Sequence, residues 1–290
     1  MTIQEYAIHT HLGTPFGIAL GADGALWFTE SFGNKIGRIT IAGAITELAV
    51  ASPNSFPTAI TAGLDGALWF TEFEAGRIGR ITTAGLVTEF DLAAPASSPE
   101  GIASGPDGAL WFTERAANKV GRITTAGTIT EYALATPASL PGGIAAGPDG
   151  ALWFAEYRAA IGRITTAGAV TEYRLPHPGS SPSAITAGPD GGVWFTEDLG
   201  GRIGRISDQG AIVEAAIPDM ESSPAGIAAG PDGGIWFTEF AGERIGELLE
   251  PTLVPTLSGW GLVAAVVLFA GAGVAMRRRS AACDRLRPRS

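Results

Sequence analysis

Cysteine and histidine are almost absent from this sequence. In 290 residues there is one cysteine, Cys283, and there are three histidines, His9, His11 and His177. A single cysteine excludes both a disulfide scaffold and a cysteine-based zinc site. The three histidines leave few positions for a catalytic or metal-binding imidazole.

Basic residues are also scarce, and they are unevenly placed. Residues 1–250 carry 13 Lys and Arg against 28 Asp and Glu, whereas residues 251–290 carry six Arg and one acidic residue. The acidic body lacks the clustered cations that binding to a phosphate backbone requires. The sequence therefore argues against nucleic acid as a partner.

Glycine is abundant, with 41 residues, about twice its usual share. Because 46% of the residues are hydrophobic, this glycine indicates tight turns rather than disorder. A motif of Trp, Phe, Thr or Ala, and Glu recurs six times, at intervals of 41 or 42 residues. Its tryptophans are Trp27, Trp69, Trp111, Trp153, Trp194 and Trp236.

Each repeat contains four short apolar segments separated by turns. In the unit that starts at Pro99 they are residues 101–103, 109–113, 119–124 and 128–134, with a Pro-Asp-Gly turn after the first. Four strands in a repeat of about 42 residues are typical of a β-propeller blade. A helical repeat is disfavoured, because each internal glycine would cost a helix about 1 kcal/mol.

The second strand of the unit is apolar on both faces, which predicts that each blade packs between two neighbours and buries its tryptophan. The third and fourth strands carry Arg and Glu nine residues apart in five units, as in Arg38 and Glu47. With a two-residue turn at Ala42-Gly43, this spacing predicts that Arg38 lies directly opposite Glu47.

The two ends of the repeat region predict how the ring closes. The sixth unit stops after its third strand, near Leu249, and residues 2–8 read as an unpaired fourth strand. Pairing them would complete the last blade and remove the open edges. It would also place Glu5 opposite Glu247, so either this pair splays locally or a further unit lies upstream.

Residues 251–290 have a different character from the repeats. Residues 251–258 form a linker, residues 259–276 form an uncharged apolar run of 18 residues, and residues 277–290 are basic. Eighteen helical residues span about 27 Å, close to the hydrocarbon thickness of a bilayer. We therefore predict one transmembrane helix with a cytoplasmic C-terminus, rather than a buried core helix.

The predicted architecture is all-β: a six-bladed β-propeller of four-stranded blades over residues 1–250, closed by the N-terminal strand and followed by the membrane helix at 259–276. The linker segment from Val254 to Trp260 resembles the start of IPTL-type C-terminal sorting signals of Gram-negative bacteria. That resemblance implies export, and sorting or processing at the cell envelope. Residues 1–10 carry no signal peptide pattern, so we expect that a signal lies upstream of Met1.

The repeat itself resembles the virginiamycin B lyase (streptogramin lyase) family, through P-x-G-I-x-x-G-P-D-G-x-L-W-F-T-E and the following N-K-I-G-R-I-T. The resemblance implies a seven-bladed propeller and a magnesium-dependent elimination that opens the cyclic lactone of streptogramin B. It also implies a catalytic histidine directly after the repeated proline. Here that position holds no histidine in any of the six units; its residues are Phe16, Thr58, Glu100, Gly142, Ser183 and Ala225.

Phe16, Thr58, Glu100 and Ser183 are therefore the candidate residues at the tunnel mouth, and no catalytic residue or metal ligand is assigned. The glutamate that ends each Trp-Phe-Thr-Glu motif has two interpretations. The six could form a ring of carboxylates that binds Mg²⁺ or Ca²⁺, or each could accept backbone hydrogen bonds from the next loop, which their sixfold identity favours. Glu100 is the one charged residue after a repeated proline, so a cation or an amine is a possible ligand there.

The sequence supports two functional hypotheses. One is an exported propeller, anchored in the envelope as a single-pass membrane protein before any processing, that binds a small molecule or a protein. The alternative is a carbon–oxygen lyase that opens a cyclic lactone such as streptogramin B, with Mg²⁺ implied by the family resemblance. A metal-dependent lactone hydrolase that uses Glu100 is a weaker third interpretation. The membrane and the envelope sorting machinery are the expected partners.

Overall fold

The computed structural model describes residues 4–248, which form six antiparallel sheets in chain order. The first strand of each sheet contacts the first strand of the next sheet, so these inner strands lie side by side around one axis. The predicted six-bladed β-propeller is confirmed, and we number the sheets as blades 1 to 6.

Five blades have the four strands that the repeat predicts, in sequential up-and-down order. Blade 1 contains β1 (Pro15–Leu20), β2 (Leu26–Glu30), β3 (Lys35–Ile39) and β4 (Ile45–Ala49). Blade 2 contains β5 (Pro57–Ala62), β6 (Leu68–Glu72), β7 (Arg77–Ile81) and β8 (Val87–Asp91). Blade 3 contains β9 (Pro99–Ser104), β10 (Leu110–Glu114), β11 (Lys119–Ile123) and β12 (Ile129–Ala133).

Blade 4 contains β13 (Pro141–Ala146), β14 (Leu152–Glu156), β15 (Ala160–Ile164) and β16 (Val170–Arg174). Blade 5 contains β17 (Pro182–Ala187), β18 (Val193–Glu197), β19 (Arg202–Ile206) and β20 (Ile212–Ala216). Blade 6 contains only β21 (Pro224–Ala229), β22 (Ile235–Glu239) and β23 (Arg244–Leu248) within the described residues.

The core lies between the blades, as the doubly apolar second strand predicts. Trp27 of blade 1, for example, packs with Ile60 and Phe70 of blade 2 in one buried cluster. Five of the six repeated tryptophans are at most 6% exposed. Burial of a large aromatic side chain contributes several kcal/mol, so these interfaces account for much of the stability of the ring.

The predicted pairing of Arg38 with Glu47 is wrong, because the turn is one residue longer than expected. Gly43, at φ 84°, completes a three-residue loop in which Thr40 and Ala44 are hydrogen-bonded. This loop places Gly37 opposite Glu47 and turns the arginine to the other face, opposite a threonine. Arg38 instead contacts Asp23, with 2.7 Å between Nε and Oδ2.

The predicted closing strand is not formed in the described residues. Residues 4–14 contain no strand, and no strand pairs with the outer edge of β23. Tyr6 instead lies against Gly43 of blade 1, where an added Cβ would overlap the tyrosine ring. Contact with blade 1 therefore places this segment beside the first sheet rather than in the last one.

The predicted membrane helix at 259–276 lies outside the described residues, as do the linker at 251–258 and the basic segment at 277–290. Residues 4–248 contain no helix of the length and apolar character that a bilayer span requires.

Candidate functional site at the mouth of the ring

One end of every blade is built by the same two features. The proline that begins the inner strand pairs with the glutamate that ends the second strand, as Pro99 pairs with Glu114. The N–H of the residue after the glutamate then donates to the carbonyl of the residue before the proline, as Arg115 does to Ser98 at 3.0 Å. We call the surface formed by the residues before and after the proline, and by the two residues after the glutamate, the mouth.

The residue before each proline has a left-handed backbone, although it is never glycine. Its φ lies between 47° and 57° in all six blades, in Thr14, Phe56, Ser98, Leu140, Ser181 and Ser223. A non-glycine residue in this region costs roughly 1–2 kcal/mol. Backbone strain of this kind concentrates at binding and catalytic sites, and here it recurs in every blade at the same end.

Threonine side chains hold neighbouring inner strands together just below the mouth. Thr113 donates from Oγ1 to the carbonyl of Gly142 at 2.6 Å and accepts from the N–H of Gly101 at 2.9 Å. The same pair of bonds joins blade 1 to blade 2 through Thr29, blade 2 to blade 3 through Thr71, and blade 5 to blade 6 through Thr196. These bonds fix the backbone carbonyls of the residues after the prolines, which are Thr58, Glu100, Gly142 and Ala225.

Glu100 is part of a polar cluster that spans two blades. Its Oε1 accepts a hydrogen bond from the Tyr157 hydroxyl at 2.6 Å, and its Oε2 lies 3.3 Å from Nη1 of Arg115. The Arg115 guanidinium lies 4.6 Å from the centroid of the tyrosine ring, within the range of a cation–π contact. Gly142 provides the space, since a Cβ there would lie 2.7 Å from that ring.

Burial, followed by the nearby Glu100 carboxylate, raises the pKa of Tyr157 well above its usual value. The hydroxyl is therefore protonated at neutral pH, and it acts as the donor to Glu100. Because both carboxylate oxygens already have partners, the Glu100 side chain is held in place.

An aromatic cluster lies on the neighbouring blades. The rings of Phe32 and Phe56 meet edge to face at 5.0 Å between centroids, and those of Phe56 and Phe73 at 6.4 Å. Phe32 is 73% exposed, so the cluster offers an apolar surface to solvent. The mouth is therefore asymmetric, with an aromatic part on blades 1 and 2 and a charged part on blades 3 and 4.

The other candidate residues are placed separately along the ring. Phe16 is exposed on β1, while Thr58 is buried and donates to the carbonyl of Phe56 at 3.1 Å. The Ser183 hydroxyl lies 3.0 Å from that of Thr196. Among the four candidates, only Glu100 joins a cluster of charged side chains.

The histidines lie away from the mouth positions. His177, in the link after β16, contacts Glu214 with 2.5 Å between Nδ1 and Oε2. The N–H of His9 bonds to Oε1 of Glu47 at 2.5 Å, and His11 is exposed in the turn that follows. No mouth position of the six blades is a histidine.

The six repeated glutamates do not form a ring of ligands at the mouth. They are buried, and Glu114 and its counterparts in blades 1, 2, 4 and 5 have no hydrogen-bond partner on either oxygen within the described residues. The expected bonds from the following loop are therefore not seen. Burial, together with the nearby Glu131 carboxylate, raises the pKa of Glu114 to about 7.

The side chains of residues 4–248 do not fit a magnesium site. No group of three His, Cys, Asp or Glu within this range is placed to hold a metal ion. At the mouth, the two carboxylate oxygens of Glu100 already bond to Arg115 and Tyr157, and the Ser223 hydroxyl bonds to the Asp198 carboxylate. Mg²⁺ in proteins is usually held by one or two carboxylates together with water, and the Glu100 and Asp198 carboxylates at the mouth already have side-chain partners.

Reasoning from the sequence missed Arg115, Tyr157 and the phenylalanines of the aromatic cluster. A signal was available: the residues just before the proline and just after the glutamate vary among units whose other positions repeat. Positions that differ among otherwise similar repeats can be specialised for one function. The mouth is formed by such positions.

The fold and the mouth define this protein as a β-propeller with one asymmetric surface, at the end of the ring where the inner strands begin. The family model described as "Virginiamycin B lyase family" matches residues 1–139 and 104–252. The chain belongs to the virginiamycin B lyase family.

Solved structures agree with this assignment. The chain is 40% identical to selenomethionine-substituted virginiamycin B lyase from Staphylococcus aureus, with 86% of this chain and 88% of that chain covered and a TM-score of 0.80. It is 38% identical to a streptogramin B lyase, with 86% and 87% covered and a TM-score of 0.80. It is 44% identical to a catalytically inactive histidine-to-alanine variant of the Staphylococcus aureus enzyme with quinupristin, with 85% and 84% covered and a TM-score of 0.82.

Proposed function

We propose that this chain is a binding module of the virginiamycin B lyase family, and that its ligand lies on the mouth between the aromatic cluster and the Glu100, Arg115 and Tyr157 cluster. The observation that carries this proposal is the asymmetry of the mouth in a ring whose other positions repeat. A ligand that must bind in one orientation requires such asymmetry.

The ligand we infer has an apolar, preferably aromatic, group and a hydrogen-bond acceptor. Phe32, Phe56 and Phe73 offer the apolar surface. Arg115, whose side chain is 39% exposed, has guanidinium nitrogens left over to donate to a carbonyl or carboxylate. Pockets of this kind combine an apolar lining with a few placed polar groups.

The absence of histidine from the mouth positions favours binding over catalysis. Elimination needs a general base that titrates near neutral pH, usually histidine. In the Staphylococcus aureus relative, replacing one histidine by alanine gives a catalytically inactive enzyme. Here the Tyr157 hydroxyl donates to Glu100 at 2.6 Å, and both oxygens of Glu100 already have side-chain partners.

The second candidate function is a carbon–oxygen lyase that opens a cyclic lactone such as streptogramin B. Family membership and 38–44% identity to streptogramin lyases support it. Its base would have to be a group other than histidine at the mouth, and the described residues do not fit the magnesium ion that the family resemblance implies.

Quinupristin with Mg²⁺, added to the purified full chain in detergent, tests the two functions. Mass spectrometry reports ring opening, and calorimetry reports binding. We expect binding without turnover, weakened at least tenfold in Arg115→Gln but not in Arg122→Gln, whose arginine pairs with Asp107 at 2.7 Å, away from the mouth. Ring opening at an enzymatic rate would instead establish the lyase. Binding that is equal in both variants would reject the mouth as the site.

We also propose that the propeller is exported and anchored in the cell envelope through residues 259–276. The uncharged run followed by arginines supports this placement. Protease added to spheroplasts, whose outer membrane has been opened, should cleave the propeller while leaving the basic C-terminal segment protected, and carbonate washing should leave the full chain in the membrane fraction. Recovery of the full chain in the soluble fraction would contradict the proposal.

A further inference from the structure

The link of residues 175–181, which joins blade 4 to blade 5, is held on blade 5 by one histidine. Nδ1 of His177 lies 2.5 Å from Oε2 of Glu214, and this is the side-chain hydrogen bond between link and blade within the described residues. The Glu214 side chain is 6% exposed, whereas that of His177 is 53% exposed. The contact therefore joins a buried carboxylate to an imidazole that exchanges protons with solvent.

The links before blades 2 and 4 are held by groups that do not titrate near neutral pH. Ser52 and Thr136, which stand where His177 does, each donate their backbone N–H and their hydroxyl to a glutamate of the next blade. Asn34 and Asn118 each add a bond from the side-chain amide to the carbonyl of that same residue. Hydroxyl and amide donors keep their protons at any pH near neutral.

The link before blade 5 lacks these additional bonds. Ala159 stands where the two asparagines do, so it has no side-chain amide to bond the carbonyl of His177. The Ser180 hydroxyl, whose counterparts bond to the asparagines, has no partner within the described residues. The position of this link therefore depends on the contact between His177 and Glu214 more than its counterparts depend on any single contact.

Two buried glutamates of blade 5 lie beside the histidine. Both oxygens of Glu197 and Oε1 of Glu214 have no hydrogen-bond partner within the described residues. The charged groups that act on Glu197 are Glu214, Arg202 and His177. The Arg202 guanidinium donates to the carbonyl of Gly200 at 3.0 Å and forms no ion pair within the described residues. His177 is therefore the cation in contact with these carboxylates.

Blade 4 brings no further charge to this contact. On its face toward blade 5, Arg163 pairs with Asp149 at 2.7 Å, and Tyr173 stacks on Trp153. These side chains are not among the groups that act on Glu197. Loss of the imidazolium charge would thus leave Glu214 buried without a counter-charge, which is costly in a protein interior.

Backbone hydrogen bonds connect the link to the mouth. The carbonyl of His177 accepts from the N–H of Ser180 at 3.4 Å. The carbonyls of Ser180 and Ser181 then accept from the N–H groups of Gly200 and Asp198, both at 3.1 Å. A displacement of the link therefore reaches residues 198–201, which form the loop of blade 5 at the mouth.

We propose that the contact between His177 and Glu214 is a pH-sensitive switch, which orders the loop at residues 198–201 when the imidazole is charged and loosens it when the imidazole is neutral. Histidine changes its charge between about pH 5 and pH 8. A hydrogen bond between two charged groups is roughly twice as strong as a neutral one, so a neutral imidazole holds the link less firmly. The blade 5 part of the mouth is then ordered at acidic pH and opens more often as the pH rises.

Hydrogen exchange of the full chain in detergent, at pH 5.5 and at pH 8, tests the proposal. Each rate is divided by the intrinsic rate of the same amide at that pH. The amides of Asp198 and Gly200 report on blade 5, and those of Tyr157 and Arg158, which bond to the link before blade 4, are the internal reference. The buried glutamate that ends the second strand has a pKa raised to about 7 in both blades, so its titration affects the two loops alike.

We expect the protection of the blade 5 amides, relative to the reference amides, to fall at least about threefold from pH 5.5 to pH 8. A ratio that is unchanged or higher at pH 8 would overturn the proposal. No ligand is added, so the outcome is independent of the binding function proposed above.

Variants separate the histidine from other titrating groups. His177→Thr copies Thr136 of the preceding link and has no charge to lose, so its ratio should be the same at both pH values. Glu214→Gln keeps the shape of the side chain but cannot ionise, and it should remove the pH dependence as well. His11→Thr, at an exposed histidine before β1, is the matched control and should keep the fall seen in the parent. A fall in His177→Thr or in Glu214→Gln as large as that in His11→Thr would contradict the switch.

Discussion

Tyr157 and Glu100 come from neighbouring blades, and the 2.6 Å hydrogen bond between them joins the blades across the mouth. The carboxylate receives this bond and the contact from Arg115, so its charge is matched at the surface of the ring. Hydrogen bonds to a charged partner contribute about 1.5–3 kcal/mol, more than neutral ones. The cluster therefore both orders the mouth and links blade 3 to blade 4.

Tyr157→Phe should lower the free energy of unfolding by about 1–2 kcal/mol, because it leaves one oxygen of a largely buried Glu100 without its donor. Urea denaturation of the full chain in detergent measures the change. Tyr132→Phe is the control: its ring stacks on Trp111 with 5.7 Å between centroids, and its hydroxyl makes no hydrogen bond within the described residues. Equal destabilisation by the two substitutions would show that the bond to Glu100 contributes nothing.

The repeated arginine illustrates what the sequence can and cannot predict about the partner of a single side chain. The spacing of Arg38 and Glu47 predicts an ion pair, but the pair depends on the length of the turn between them. One extra loop residue sends the two side chains to opposite faces. The actual partner, Asp23, lies in the turn before β2, where it also accepts from Nε1 of Trp27 at 3.1 Å. The Asp-Gly signal predicts that turn, but not its long-range bonds.

At the scale of single strands, the threonine of the Trp-Phe-Thr-Glu motif is the main polar link between inner strands. Thr113 satisfies one backbone N–H and one backbone carbonyl that face it from two blades. In blade 4 the position is Ala155, and Ser183 on the next inner strand bonds to Thr196 instead.

Thr113→Val should cost about 2–4 kcal/mol, since valine has nearly the same shape but leaves two buried backbone groups without partners, at about 1–3 kcal/mol each. The decrease is read from the denaturation midpoint. Thr130→Val, on the exposed face of β12, should change stability by less than about 0.5 kcal/mol. A loss of similar size at both positions would mean that the hydroxyl of Thr113 is not what joins the inner strands.

The third strand of each blade has a glycine at its centre for a steric reason. Gly121 lies opposite Phe112 in the sheet, and a Cβ there would overlap the phenylalanine ring. Phe112 is fully buried, so its ring has little room to move. The glycine and the phenylalanine of the repeat thus belong together, although they are nine residues apart.

Gly121→Ala should destabilise the protein by about 1–3 kcal/mol, the usual cost of an overpacked core. The double variant Gly121→Ala with Phe112→Leu should be less destabilised than the sum of the single variants, because the smaller side chain removes the overlap. Additive losses in this double-mutant cycle would show that the two side chains do not interact.

At the scale of the whole molecule, the repeat predicts the blades, their order and their buried tryptophans, because local patterning and turns decide each of these. It does not predict where residues 4–8 lie. Pairing with β23 would join the two ends of the described chain, whereas blade 1 follows directly in the sequence, and the contacts of Tyr6 with Gly43 decide the outcome. The mouth was predicted only at the positions after the proline, since side chains that meet there come from different repeats.

The buried glutamate recurs along the ring. The free energy of unfolding should therefore depend on pH more strongly than it would with one such residue. The pKa of Glu72, Glu114, Glu156 and Glu197 is raised to about 7, first by burial and then by a second glutamate beside each. Because an unperturbed glutamate has a pKa of 4.5, the folded protein holds more protons than the unfolded chain between pH 4.5 and 7. The free energy of unfolding must then decrease as pH rises through this window.

We therefore expect the full chain to lose at least about 1 kcal/mol of stability between pH 5 and pH 8, measured by urea denaturation at constant ionic strength. Asp107 and its counterparts do not oppose this trend there: although burial raises their pKa, hydrogen bonds such as those from Trp111 and Arg122 outweigh it and lower the pKa below 3.8. Glu114→Gln keeps the shape of the side chain but cannot ionise, so it should flatten the pH dependence and be at least as stable as the parent at pH 8. A stability that is constant or rises over this range would show that these carboxyls are ionised in the folded ring and paired by groups such as ordered water.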